Sequence, residues 1–324
     1  MRKYSTILVR CWLIGLAVFH GLQTSFTFAA ESPESETETK TSAFDLKYNS
    51  DKPRKFLLPP LISLVLPGFD QYSEEQYGYA IGYTATAVIG LELTKFGTGS
   101  ISTTDNKKRL GNLGGQLYLA AGEFSAYHSF RTAVRSRQQN GEFLFLKHEE
   151  SPTDLLAAPF NFSYLTRPTT YVGIPAMLAL GFALEKIRGS SDWLSSSWRS
   201  PNITDYAFAG AYSFNAGTGE EALFRGWIMP VSMHYTNSEF FSNLITSILF
   251  GAGHINRHNY FPISQTIGGF YLGYVAQKND WSLGESIFIH TWYDVIAFLL
   301  HYATTNTAEG PRPPFVISPI TIHL

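Results

Sequence analysis

Cysteine is almost missing from this 324-residue chain: Cys11 is the only one, and it lies near the N-terminus. That excludes a disulfide framework, a thiol nucleophile in the body of the chain and a cysteine-built zinc site. Charge is scarce too. Asp, Glu, Lys and Arg make up 15% of the residues, against roughly 25% in soluble domains. The two signs nearly cancel, 24 Lys and Arg against 26 Asp and Glu. With no basic excess there is no electrostatic footprint for nucleic acid, so nucleic-acid partners are not expected. Uniform greasiness is also lacking, since mean hydropathy is -0.04. Apolar helices must therefore alternate with polar loops. The Gly-x-Ser-x-Gly elbow, the His-Glu-x-x-His zinc helix, the P-loop and the dinucleotide fingerprint are all absent, which removes the nucleotide-binding and serine-hydrolase signatures.

What is present points to a membrane. Aromatic residues reach 15%, with 18 Tyr, 25 Phe and 6 Trp. Few charges with many Tyr and Trp suit a chain whose outer face meets lipid and whose ends meet the interface. The N-terminus begins Arg2-Lys3, continues through an apolar run from Ile7 to Leu22 and reaches Ala29-Ala30. A basic start, an apolar stretch and small residues describe a signal peptide or an N-terminal anchor over residues 1–30. Residues 31–55 are rich in Ser, Thr, Glu and Lys without periodicity and read as a flexible linker.

From residue 56 the pattern changes. Leu57–Phe69 is apolar but broken by Pro59, Pro60 and Pro67, which fits an interfacial or re-entrant piece. Tyr77–Thr94, Gly114–Phe130 and Tyr171–Leu184 read as spans, the second carrying Glu123 and His128. Arg131–Leu155 reads as a charged loop, and Gly189–Asn202 as an interfacial one. Further apolar stretches follow at Ala207–Gly217, Ala222–Tyr235, Phe240–Asn256, Ile263–Gln277 and Leu283–Tyr302. The expected fold is all-α, a polytopic membrane protein of about seven or eight transmembrane helices enclosing a polar cavity. N-terminal helices and loops would fill 56–206, a denser core 207–303, and an irregular tail 304–324.

Three clusters in that core could do chemistry. Glu220-Glu221-Ala222-Leu223-Phe224-Arg225 follows Gly217-Thr218-Gly219 at what looks like a helix start, with Glu221 and Arg225 spaced for an i, i+4 ion pair. A solvated helix start is the plain alternative. Phe250-Gly251-Ala252-Gly253-His254 closes the next apolar stretch, its glycines allowing close approach to His254. His258, one turn on, has metal-sharing spacing, although Arg257 and Asn259 beside it suggest a loop. His290-Thr291-Trp292-Tyr293-Asp294 sets His290 and Asp294 on one face of the last apolar helix. A structural His–Asp pair is the alternative there, but ionisable groups inside a membrane helix are expensive and usually functional. Together the set suits water activation: a carboxylate to take a proton, imidazole to polarise, and an acid to orient the imidazole.

In that order, Glu220-Glu221-x-x-x-Arg225, Phe250-x-x-x-His254 and His290-x-x-x-Asp294 resemble the CPBP family of intramembrane proteases. That family includes CAAX prenyl endopeptidases of the Rce type and bacterial Abi proteins. The likeness covers roughly Ala207 to Tyr302. It implies a hydrolase, an intramembrane endopeptidase with Glu220 as general base, His254 and His290 binding water or stabilising an oxyanion, and Arg225 holding Glu221 or both carboxylates. Asp294 stands where the prenyl endopeptidases often carry Asn. An ionised Asp offers no amide donor, so orienting His290 is its expected role. Glu with two His could hold zinc as a metalloprotease, or activate water without metal. The lack of a compact His-x-x-x-His pair shared by the three motifs favours the second. Expected partners are membrane lipid and a peptide or membrane-protein substrate, and the expected location is multi-pass in a bacterial inner (plasma) membrane. A non-catalytic maturation or immunity-type protein of the same fold is the alternative. A transporter would fit the buried acids but not the lack of an internal repeat.

Overall fold

The structure, a computed structural model, describes residues 53–98, 105–187, 199–255 and 262–304. The N-terminal leader, nearly all of the linker, most of the Gly189–Asn202 stretch, His258 and the C-terminal tail lie outside the described residues. Every regular element among those described is helical.

Two short helices come first, α1 (Leu58–Val65) and α2 (Phe69–Ser73). Proline in the first turn of α1 costs no hydrogen bond there and presets the helical φ. Gly68, at φ 94°, turns the chain into α2, and an added Cβ would meet the Ala80 carbonyl at 2.6 Å. Helices α3 (Tyr77–Thr98) and α4 (Asp105–Gln138) form a long hairpin. They touch along a glycine seam. A Cβ on Gly97 would lie 2.3 Å from the Gly111 Cα, and one on Gly114 would lie 2.5 Å from the Gly90 carbonyl oxygen. Small residues let two backbones approach this closely, which is how helices pack where no water is available to drive them together.

The expected loop from Arg131 is instead helix as far as Gln138. Phe130, Ala133 and Val134 are buried at helical spacing, while Arg137 donates to Glu142 and to the Arg54 carbonyl. The charges mark the helix's outer side rather than a break. After it come α5 (Pro152–Ala157), closed by a Ser151–Asp154 capping box, and α6 (Pro168–Ile187).

The core helices follow. α7 (Ile203–Leu223) starts at Asn202, whose side chain accepts from the Thr204 and Asp205 amides. It passes without a break through a π-turn (Phe224–Ile228) into α8 (Met229–Thr236). Then come α9 (Glu239–Gly253), α10 (Ile263–Lys278) and α11 (Gly284–Thr304). Phe124, Tyr127 and Phe130 of α4 share one buried cluster with Ala222, Phe250 and Ile287. The N-terminal helices therefore buttress the core helices directly.

Helix α9 has its polarity reversed. Ser242, Asn243, Thr246 and Ser247 are buried, whereas Phe241, Ile245, Ile248 and Leu249 are exposed. The buried polar groups are satisfied: Asn243 donates to the Phe270 carbonyl at 2.9 Å, and Ser247 to the Asn243 carbonyl at 2.6 Å. Among the described residues, no helix is long and apolar enough to cross a membrane.

The seam yields a direct expectation. Gly114→Leu should destabilise the protein by about 1–3 kcal/mol, the usual cost of overpacking, read as a lower midpoint of thermal unfolding in detergent. An unchanged midpoint would mean that α3 and α4 do not meet there.

Candidate active site

The site begins with the continuity of α7. Gly217-Thr218-Gly219 is not a turn. Gly217 faces α11, where a Cβ would fall 2.2 Å from the Thr291 Oγ1, and Gly219 faces α4, where one would fall 2.3 Å from Glu123 Oε2 and 3.2 Å from Ala120. The glycines are contact points for two neighbouring helices. Glu220 and Glu221 consequently sit well inside a helix, and both are buried, so the reading of a solvated helix start is corrected. The π-turn follows directly. Such insertions widen a helix locally and are frequent at functional sites.

Behind the site is a chain of buried charges. Arg225 Nη1 donates to Glu221 Oε1 at 2.8 Å and Nη2 to the Gly269 carbonyl at 2.7 Å. Its guanidinium lies over the Phe250 ring, 4.5 Å from the centroid. Glu221 Oε1 also accepts from His290 Nδ1 at 2.9 Å. The ion pair is shut off from solvent on both sides. The Glu221 carboxylate thus joins α7 to α11, and its partner Arg225 carries the link on to α10.

In front of that chain lies Glu220. His254, at the end of α9, donates from Nδ1 to the Phe250 carbonyl at 2.7 Å. The two Nδ1 bonds turn both rings the same way, so that His254 Nε2 and His290 Nε2 each stand 3.9 Å from Glu220 Oε2. That is too far for a direct hydrogen bond and the right span for one bridging water. Glu220 Oε2 is buried without a hydrogen-bond partner, a costly state unless something polar enters. Asp294 Oδ2 is 3.7 Å from His290 Nε2. A cavity of about 30 Å³, large enough to admit water, has His254, His290, Asp294, Ser264, Gln265 and Tyr293 in its lining. The bonds also fix tautomers. A carbonyl and a carboxylate can only accept, so each neutral ring carries its proton on Nδ1 and a lone pair on Nε2.

Two imidazole nitrogens and a carboxylate are a zinc-type donor set. The spacing is less suitable. Among the described residues no group of three or more His, Cys, Asp or Glu is placed to hold a metal ion, and 3.9 Å between donors exceeds the roughly 3.3–3.5 Å implied by tetrahedral zinc bonds of about 2.0–2.1 Å.

All six residues singled out in the sequence, Glu220, Glu221, Arg225, His254, His290 and Asp294, come together here. The hydrogen bonding differs from expectation at one of them. It is Glu221, not Asp294, that holds His290 Nδ1, because a hydrogen bond across two helices reaches the nitrogen that the i+4 neighbour does not. Of the two carboxylates expected for Arg225, it is Glu221 that accepts from it, the other guanidinium bond going to the Gly269 carbonyl. Ser264, Gln265 and Tyr293 were not anticipated. The signal for the first two was a polar pair at the head of an otherwise apolar stretch.

Residues 202–296 match the family described as type II CAAX prenyl endopeptidase, Rce1-like. The matched segment runs from the Asn202 cap to just past Asp294 and so contains the whole site. That is a family of membrane proteases, which is what this segment is similar to. No curated protein and no solved structure gives a match.

Removing one member of a buried ion pair leaves the other uncompensated, at about 3–5 kcal/mol. Arg225→Met should therefore lower stability by about that much, and the double variant Glu221→Gln, Arg225→Met should recover part of the loss. Thermal unfolding of the purified variants checks this. Additive losses would show that the two side chains do not interact.

Proposed function

We propose that this protein is a membrane-embedded endopeptidase in which Glu220 activates a water held between His254 and His290. The observation that carries the reading is the partnerless Glu220 Oε2 facing two Nε2 atoms at equal distance. A water in that gap donates one hydrogen to Glu220 and the other to an imidazole lone pair. Its oxygen attacks the carbonyl carbon of a peptide bond as Glu220 takes the first proton. The carbonyl electrons move to oxygen. When they return, the C–N bond breaks and Glu220 passes its proton to the departing amine. Glu221 and Arg225 keep His290 in the required tautomer. Asp294, one carboxylate oxygen from His290 Nε2, stabilises positive charge on that ring.

The reversed polarity of α9 supports a membrane setting. A helix with serines and asparagine inside and phenylalanine and isoleucine outside is unfavourable in water and favourable in lipid. Inward polar residues lower a helix's average hydropathy without changing the face lipid meets, which reconciles this with the lack of a long apolar helix. The substrate class is then a peptide segment delivered at the membrane. Given the donor spacing, the chemistry proceeds without a metal.

Glu220→Gln keeps the shape and removes the base. Cleavage of a synthetic peptide pool by the purified protein in detergent should fall by roughly 10²–10⁴-fold, with thermal stability retained. Undiminished cleavage would rule out Glu220 as the base. Treatment with a strong zinc chelator should leave the rate unchanged. Loss of activity restored by added zinc would overturn the metal-free part.

A further inference from the structure

A cavity of about 30 Å³ admits a water and not a peptide, since pockets that take even small ligands run to roughly 300–1,000 Å³. For a substrate to reach Glu220, one wall has to move. The lining comes from four helices. Helices α9 and α11 bring His254, His290 and Asp294, and α11 is tied to α7 by the His290–Glu221 bond. Helix α10 is held by Arg225 at the Gly269 carbonyl and by Asn243 at the Phe270 carbonyl. The fourth wall is α6, which supplies only the apolar side chains of Met177 and Leu180. The start of α6 is clamped. Arg167 and Thr170 donate to Glu285 at 2.8 and 3.1 Å, and the Tyr271 hydroxyl donates to the Thr169 carbonyl. A Cβ on Gly173 would fall 2.3 Å from that same hydroxyl, so this end is closely packed as well. Pro175 follows inside the helix. It has no N–H for the Tyr171 carbonyl, and such a position is where a helix bends. From Pro175 to Leu184 no residue is buried. The surface of α10 that Met177 meets is Gly268, where an added Cβ would lie 3.4 Å from the Met177 methyl. No side chain there interlocks with α6.

Resting on the hydrolytic reading above, we infer that the substrate enters between α6 and α10, as the half of α6 beyond Pro175 bends outward and draws Met177 and Leu180 away from the cavity. The half before Pro175 stays fixed to Glu285 and Tyr271 and is the base of the hinge. This opening leaves the bonds among Glu221, Arg225 and His290 untouched, because none of them involves α6. The side chains it releases are apolar and turn toward lipid, where they lose little, since lipid tails are as apolar as the wall they leave. Closure of such an element around a bound substrate also keeps bulk water out while the reaction runs.

The test uses the full chain in lipid nanodiscs with Cys11→Ser, so that nitroxide labels go only to introduced cysteines. Ala183→Cys with Ile245→Cys reports the outer half of α6 against α9, and Val172→Cys with Ile245→Cys reports the clamped end. All three positions are exposed. Electron–electron double resonance should give a broader distance distribution for the first pair than for the second. Adding quenched-fluorescent synthetic peptides should lengthen the first distance by roughly 5 Å, the width of one extended chain, and leave the second in place. Two equally narrow distributions that peptide does not move overturn the inference. A second variant, Met177→Cys with Gly268→Cys, is bridged by a short reducible thiol cross-linker. The bridged protein should cleave the peptides no faster than Glu220→Gln, and reduction should return the rate of the unbridged variant. Equal rates before and after bridging overturn the inference too. Glu220→Gln, measured alongside, separates the two levels. If it is inactive while the bridged protein is fully active, only the entry route fails. If Glu220→Gln is itself fully active, the hydrolytic reading fails, and the label distances still decide whether α6 moves.

Discussion

A guanidinium removed from water must be held on several sides, and the placing of Arg225 constrains this structure more than any other side chain. It is among the largest fully buried side chains described. Its requirements are met by Glu221 from its own helix, the Gly269 carbonyl from α10 and the face of Phe250 from α9. Each partner belongs to a helix that also carries, or lies against, a residue of the site. Because Glu221 bonds both Arg225 and His290, the ion pair sets an imidazole tautomer as well as a packing arrangement. A neutral replacement could pack equally well. It would not fix which nitrogen of His290 points forward.

The second constraint is proximity. Helices can converge on a water-sized gap only if their backbones come close, and glycine permits that. Gly217 and Gly219 flank the approach to Glu220 on two sides, toward α11 and α4. The second contact brings Glu123 and Ala120 of the N-terminal half against the residue next to Glu220. The helices before residue 202 thus form part of the wall that positions Glu220. The family likeness covers only 202–296, yet the site's mechanical support extends well outside that range.

Much of this was legible in the sequence, for identifiable reasons. The ionisable pairs Glu221–Arg225 and His290–Asp294, at i, i+4 spacing on apolar stretches, stand out because burying them is expensive, and they converge with Glu220 and His254. Apolar periodicity located most of the helices. What was not legible depended on neighbours. Gly217-Thr218-Gly219 has the local composition of a turn, and only the packing of Thr291 and Glu123 explains it as helix. Arg131 to Gln138 reads as loop by charge content, while the buried Ala133 and Val134 show its inner face. The partner of His290 is a residue 69 positions away in sequence, whereas spacing could offer only Asp294. Gln265 carries no charge and so left no electrostatic mark in the sequence. Its place became apparent only once the cavity it borders was defined.

The most direct measurement is an experimental structure of the full chain in a lipid nanodisc, at a resolution that places ordered water. The account requires Glu220 Oε2 and both Nε2 atoms to surround one water at about 2.7–3.2 Å from each, with α9 turning its phenylalanines and isoleucines to the lipid. If these tips are separated by more than a single water can bridge, or if Glu220 faces the acyl chains, the account is wrong.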